Sequence, residues 1–134
     1  MSIELVVVTP EGEAFSGPVE QVVLPGAEGE FGVLEAHERF LSALNHGCLE
    51  IRTLETRHFS AVSNGFAEVG SEKLVVLVDS LIPQEEIDVE AARATRESAS
   101  AALEQIGNGD DPRKPELEDS LARANAQLDV ASRD

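Results

Sequence analysis

The sequence predicts a mainly β plus α chain: an N-terminal antiparallel β-sandwich followed by a C-terminal two-helix antiparallel hairpin. Three observations predict it. Up to Pro83, short Val, Leu, Ile and Phe runs alternate with Gly and Pro, the texture of many short strands. After Pro83, Ala becomes frequent, and all five Phe lie before it. Within that second part, apolar residues return at helical spacing on either side of one break rich in Gly, Asp and Pro. The predicted domains are therefore a sandwich over 1–83 and a helical hairpin over 84–134.

The strand-length runs are Ile3-Val8, Val19-Leu24, Cys48-Thr53, His58-Val62, Phe66-Val69 and Lys73-Val78, separated by turn signals such as Pro10-Glu11-Gly12 and Asn64-Gly65. No segment between them has room for repeated crossover helices, so antiparallel sheets closed into a sandwich or flattened barrel follow more naturally than a parallel sheet. Asp88 is placed to cap a helix whose Val89, Ala92, Ala99, Leu103 and Ile106 recur along one stripe. Gly107-Asn108-Gly109-Asp110-Asp111-Pro112 ends it and opens another. There Leu117, Leu121, Ala124 and Leu128 form one seam. Small Ala set against Leu buries little area, so the hairpin needs a surface to rest on, or it moves.

With 26 acidic and 10 basic residues the chain carries a formal net charge of -16, which repels phosphate backbones and anionic lipid head groups. Nucleic acid is excluded as an expected partner. The single Cys48 cannot form an internal disulfide and reads as a small buried hydrophobe in a cytosolic setting. No secretory signal is visible at Met-Ser-Ile-Glu, and the longest apolar runs, Leu5 to Val8 and Leu74 to Val78, fall far short of the roughly 18 residues that span a bilayer. Membrane association is expected only through a partner.

No catalytic or cofactor constellation emerges. His37, His46 and His58 lack metal-ligand spacing and Cys partners, and Ser63 and Ser80 sit in no nucleophile elbow. One segment stands out, Gly26-Ala27-Glu28-Gly29-Glu30-Phe31-Gly32 running on to His37. It matches neither dinucleotide nor P-loop spacing, and Glu28 and Glu30 would repel a phosphate. Two readings stay open: glycines that only make turns between edge strands, or an exposed acidic turn that meets a basic or polar partner loop.

The residues also resemble a known family. Val8-Thr9-Pro10-Glu11-Gly12-Glu13-Ala14-Phe15-Ser16-Gly17 is similar to the first hairpin of the epsilon subunit of bacterial F-type ATP synthases, called delta in mitochondria, and Val22-Val23-Leu24-Pro25-Gly26 leading into Glu28-Gly29-Glu30-Phe31-Gly32-Val33-Leu34 looks like its most specific stretch. Ser63-Asn64-Gly65-Phe66-Ala67-Glu68-Val69 and Val75-Val76-Leu77-Val78-Asp79-Ser80 resemble its last strands, and Ile87-Asp88 stands where its helical domain begins.

The resemblance implies a ten-stranded sandwich wedged between the gamma subunit and the membrane ring of c subunits, in a non-catalytic rotor subunit with no cofactor. It implies that Glu28 and Glu30, with His37 nearby, face the polar loops of the ring, and that the hairpin meets the beta subunit transiently. The implied place is peripheral, at the cytoplasmic face of a bacterial inner membrane or the equivalent face of another energy-transducing membrane. Two departures stand out. Glu35-Ala36 replaces Pro-Gly before the histidine, and the nucleotide motif Ile-Asp-x-x-Arg-Ala reads Ile87-Asp88-Val89-Glu90-Ala91-Ala92, its arginine lost. No ATP site and only weak inhibition of ATP hydrolysis are expected, because the hairpin, with thirteen acidic and six basic residues from Gln84 onward, has a net charge of -7. The alternative from another class is a free acidic β-sandwich binding module.

Overall fold

The computed structural model describes residues 2–33 and 39–134. Ten strands precede two helices: β1 (Ile3–Thr9), β2 (Gly12–Val19), β3 (Gln21–Gly26), β4 (Gly29–Val33), β5 (Phe40–Leu44), β6 (Gly47–Arg52), β7 (Arg57–Val62), β8 (Gly65–Val69), β9 (Lys73–Val78), β10 (Leu81–Pro83), α1 (Val89–Ile106) and α2 (Lys114–Ala131). The strands follow the order β10-β7-β6-β3-β5-β8-β9-β1-β2, with β4 paired to β3. Alternate residues of β1, β3, β8 and β9 point inward, and Leu5, Val7, Val22, Leu24, Val69, Leu74 and Val76 are completely buried in one aliphatic core.

The sheet departs from the sequence expectation in three places. β1 and β9 pair in parallel, Val6 against Val75 and Val8 against Leu77. Such a pair needs no crossover helix here, because the intervening chain crosses the whole sandwich before returning. Second, the run Val19-Leu24 is split at Glu20 between β2 and β3. Third, the strands on either side of the Asn64-Gly65 turn do not pair with each other: β7 pairs with β6 and β10, whereas β8 pairs with β5 and β9.

The chain instead passes between halves of the sheet at that point. Ser63, buried, holds this corner by accepting from the amides of Asp79 at 2.8 Å and Ser80 at 3.0 Å. Gly65 lets β8 lie against β9, since a Cβ there would stand 2.0 Å from the Leu77 carbonyl oxygen.

The hairpin forms for the reasons its sequence gives. Asp88 caps α1, its Oδ1 accepting from the Ala91 amide at 3.0 Å, and Gly107 ends it with φ of 61°. Asp111 accepts from the Arg113 amide at 2.8 Å just before α2, which carries Pro115 in its first turn. α2 has two apolar faces. Ala124 is buried and Leu117, Leu121 and Leu128 half-buried along the predicted seam, while Ala126 and Val130 are also buried, and the helix packs across β6 and β7 as well as along α1.

Candidate functional site

Three surfaces bear on function: the acidic turn, the face beneath the hairpin, and the outer face of β5, β8 and β9. The turn joins β3 to β4, with Pro25 opposite Glu30 and Gly26 opposite Gly29, whose φ of 129° only glycine adopts readily. Both glutamates are exposed, but they differ. Glu28 lies at the tip, whereas Glu30 is reached by Arg133 Nη2 from beyond the end of α2 at 3.5 Å. His37 lies outside the described residues, so its relation to the two glutamates stays as the resemblance implied it.

The outer face of β6 and β7 is apolar where α2 crosses it. Val130, fully buried, joins Cys48, Phe59 and Ala61, with Ile87 against them. Burial pushes the Cys48 thiol up to about 11; Arg133 opposes this, while Asp129, Glu30 and Glu50 add to it. Cys48 is thus the small hydrophobe expected from its sequence. Glu50, on the same face, is 5% exposed and is held by Arg52 and by Arg57 at 3.0 Å. Burial pushes its carboxyl up, and the two guanidinium groups outweigh that and hold it below its ordinary range.

Two polar contacts bracket this apolar seam. His46, whose side chain is only 7% exposed, donates from Nε2 to Asp119 Oδ1 at 2.7 Å. Gln84, in the 3-10 turn after β10, donates from Nε2 to the carbonyls of Val130 at 2.9 Å and Arg133 at 2.6 Å. Neither contact was anticipated from the sequence. The signal for the apolar part of the seam was present: Cys48 with Ala61 and Phe59 alternates against Leu49, Ile51 and Val62, so both faces of these strands are apolar and each needs a cover.

The residues of the degenerate nucleotide motif take structural places. Ile87 packs under α2, Asp88 caps α1 and Ala92 is buried. Exposed Ala91 lines a cleft between the helices and β10, together with Asp88, Glu86, Glu116 and Asp119. Arg123 also lines it, with Nη2 3.6 Å from Asp119 Oδ2. Arg93 is elsewhere engaged, 2.9 Å from Glu90. Among the described residues no group of acidic, histidine or cysteine side chains could hold a metal ion.

On the other half of the sheet lies an uncovered apolar face. Cross-strand registers set Ala43, Phe66, Leu77 and Val8 in one row and Leu41, Glu68, Val75 and Val6 in the next. Leu41 is 66% exposed, Phe66 52% and Leu77 48%. A monomer rarely leaves such a cluster to water.

Family models match nearly the whole chain: "ATP synthase, Delta/Epsilon chain, beta-sandwich domain" over residues 2–84, and "ATP synthase, Delta/Epsilon chain, long alpha-helix domain" over 85–132. The chain belongs to the ATP synthase delta/epsilon family. An ATP synthase epsilon chain of Nitratidesulfovibrio vulgaris is 41% identical over 129 residues, covering 96% of this chain and 95% of that one. The epsilon chain of Microcystis aeruginosa is 37% identical over 132 residues, with coverage of 98% and 96%. A chain in the solved mitochondrial ATP synthase of Euglena gracilis, resolved with OSCP, F1 and c-ring, superposes with a TM-score of 0.84 at 26% identity, covering 98% of this chain and 82% of its own. The family is that of a structural and regulatory subunit of the synthase rather than a catalytic one. Among the described residues no helix is long and apolar enough to cross a membrane.

Proposed function

We propose that this epsilon-family chain is a central-stalk rotor subunit of a proton-translocating F-type ATP synthase, seated between gamma and the c-ring and held at the membrane peripherally, on the cytoplasmic face. The apolar face of Leu41, Phe66, Val75 and Leu77 carries the reading. It is exposed, it lies on the half of the sheet that the hairpin leaves uncovered, and it is of the kind that a permanent subunit contact buries. Gamma is the occupant proposed for it. The acidic turn with Glu28 at its tip is left for the polar loops of the ring, where charge steers and registers more than it binds.

The hairpin takes a lesser part. Arg93, Arg113, Arg123 and Arg133 each stand within salt-bridge distance of a carboxylate of the same chain. Few free cations remain to meet an acidic segment of beta, so inhibition of hydrolysis is weak. With Ala91 in place of arginine and several carboxylates lining the cleft, ATP gains little there.

Binding to the gamma subunit of the same organism tests the assignment. Phe66→Glu with Leu77→Glu, both on exposed positions, should leave the fold intact and weaken gamma binding at least about a hundredfold, since burying two unpaired charges costs several kcal/mol. Unchanged affinity in a correctly folded double variant would move the gamma contact elsewhere.

A further inference from the structure

We infer that Gln84 and His46 form a two-point latch that holds the hairpin down on the sandwich, and that the latch gates access to Cys48. Three observations place the parts. At the end of α2 the Val130 carbonyl accepts from the Arg133 amide at 3.1 Å, and Gln84, a side chain of the connection between sandwich and hairpin, adds two donors at that end, to the Val130 and Arg133 carbonyls. At the opposite end of the docked stretch, His46 from the β5–β6 connection grips Asp119. Asp119 and Val130 are eleven residues apart, about 16 Å along the helix. Ala126 is buried between the two grips, and the Val130 side chain packs on Cys48, Phe59 and Ala61 of the sheet.

The latch is selective because each grip exists only when α2 is docked. Asp119 is a carboxylate and can only accept, so His46 Nε2 carries the donated proton. Gln84 precedes α1 by a few residues, so a hairpin that swings away from β6 and β7 must pull the α2 terminus off its amide. The apolar seam alone is small: among the described residues its buried members are Cys48, Phe59, Ala61 and Val130, with Ile87 partly buried against them. Without the two polar grips the docked helix would keep only that seam and the long, exposed contact of Arg133 with Glu30, a modest hold.

Cys48 lies under Val130 and is the one cysteine of the chain, so its reaction with an aromatic disulfide reagent reads hairpin opening directly in the full-length subunit. The measurement needs neither gamma nor the ring. Its failure is therefore separate from failure of the rotor assignment.

At one fixed pH the native thiol should react slowly. Gln84→Met keeps the length but removes both donors, and should speed labelling about fivefold or more, as expected for two hydrogen bonds of ordinary net strength. His46→Leu should do the same. His46→Gln, whose amide nitrogen stands where imidazole Nε2 does, should restore slow labelling. Amide exchange at Leu5, Val7 and Leu74 in the sandwich core should stay unchanged throughout. Labelling of Gln84→Met and His46→Leu at the native rate would overturn the latch. So would faster labelling that rises in step with core exchange, since opening would then be global unfolding.

Discussion

At the scale of single residues, the side chains that look most chemical prove to be structural, and Glu50 is the instructive case. It sits almost wholly buried on the outer face of β6, yet Arg52 and Arg57 bind it from partly exposed positions. A carboxylate removed from water without partners would protonate, and one with two guanidinium groups stays charged. Its lowered native pKa means that the unfolded chain takes up the proton first as pH falls, so the stabilisation is complete above the ordinary value of 4.5 and is lost as pH drops through the lower native one. Glu50→Gln should accordingly destabilise the protein by about 1–2 kcal/mol at neutral pH, the low end for charged hydrogen bonds because both arginines keep contact with water. Thermal melting at pH 7 and then at successively lower pH checks this: the gap between native and variant should close on the acid side of 4.5. A gap that is constant with pH would mean that packing, not charge, sets the effect. The acidic turn obeys the opposite regime. Glu28 is exposed, and the contact of Glu30 with Arg133 is long and exposed as well, so either glutamate alone contributes only about 0.2–1 kcal/mol to any partner. Glu28→Gln with Glu30→Gln together should lower proton-driven ATP synthesis in membrane vesicles more than ATPase activity of the detached head. Equal rates of synthesis would leave these residues as parts of a turn and nothing more.

At the scale of elements, legibility followed the strength of local signals. Asp88 and Gly107 mark the two ends of α1 because a cap and a left-handed glycine are written in single residues. β1, β6, β7, β8 and β9 were visible as apolar runs of strand length. β2 and β4 were not, since Gly12, Gly17, Pro18, Gly29 and Gly32 dilute the pattern, and an edge strand such as β2 tolerates Pro where a central one would not; β5, only five residues long, has no Gly or Pro signal in the residues just before it. β10 is three residues long and carries no period at all. The resting place of the hairpin was hidden for a different reason. Ala126 and Val130 are each two residues off the Leu seam, about 200° around the helix, so α2 has one face for α1 and a second for the sandwich. A search for one stripe finds the first face and stops. The turn between β3 and β4 was legible as acidic, whereas which glutamate would be drawn toward Arg133 depended on a contact over 103 residues of sequence. The docked helix also frames the regulatory expectation. With Arg93, Arg113, Arg123 and Arg133 beside carboxylates of the same chain and a net charge of -7 from Gln84 onward, the hairpin is badly suited to an acidic partner. Truncation after Pro83 should raise ATPase activity of the assembled enzyme less than about twofold, a barrier change of roughly 0.4 kcal/mol. A many-fold rise would restore an inhibitory role.

At the scale of the whole molecule, the two halves of the sheet have divided the available partners. The outer face of β6 and β7 is covered by the chain's own hairpin, and that of β5, β8 and β9 is left apolar and open. An acidic surface of net charge -16 discourages contact with nucleic acid and anionic lipid and leaves the open face as the place where a permanent neighbour gains from burial. A rotor subunit and a free acidic binding module would share this architecture, and they part on what stays attached to them. The direct measurement is purification from native membranes, solubilised in mild detergent, through an affinity tag at the C-terminus of this chain. The rotor assignment predicts gamma, beta and the c-ring at constant stoichiometry with the tagged chain, in a complex that survives gel filtration and hydrolyses ATP. Recovery of the chain free of gamma, from membranes whose synthase is intact and active, would contradict it.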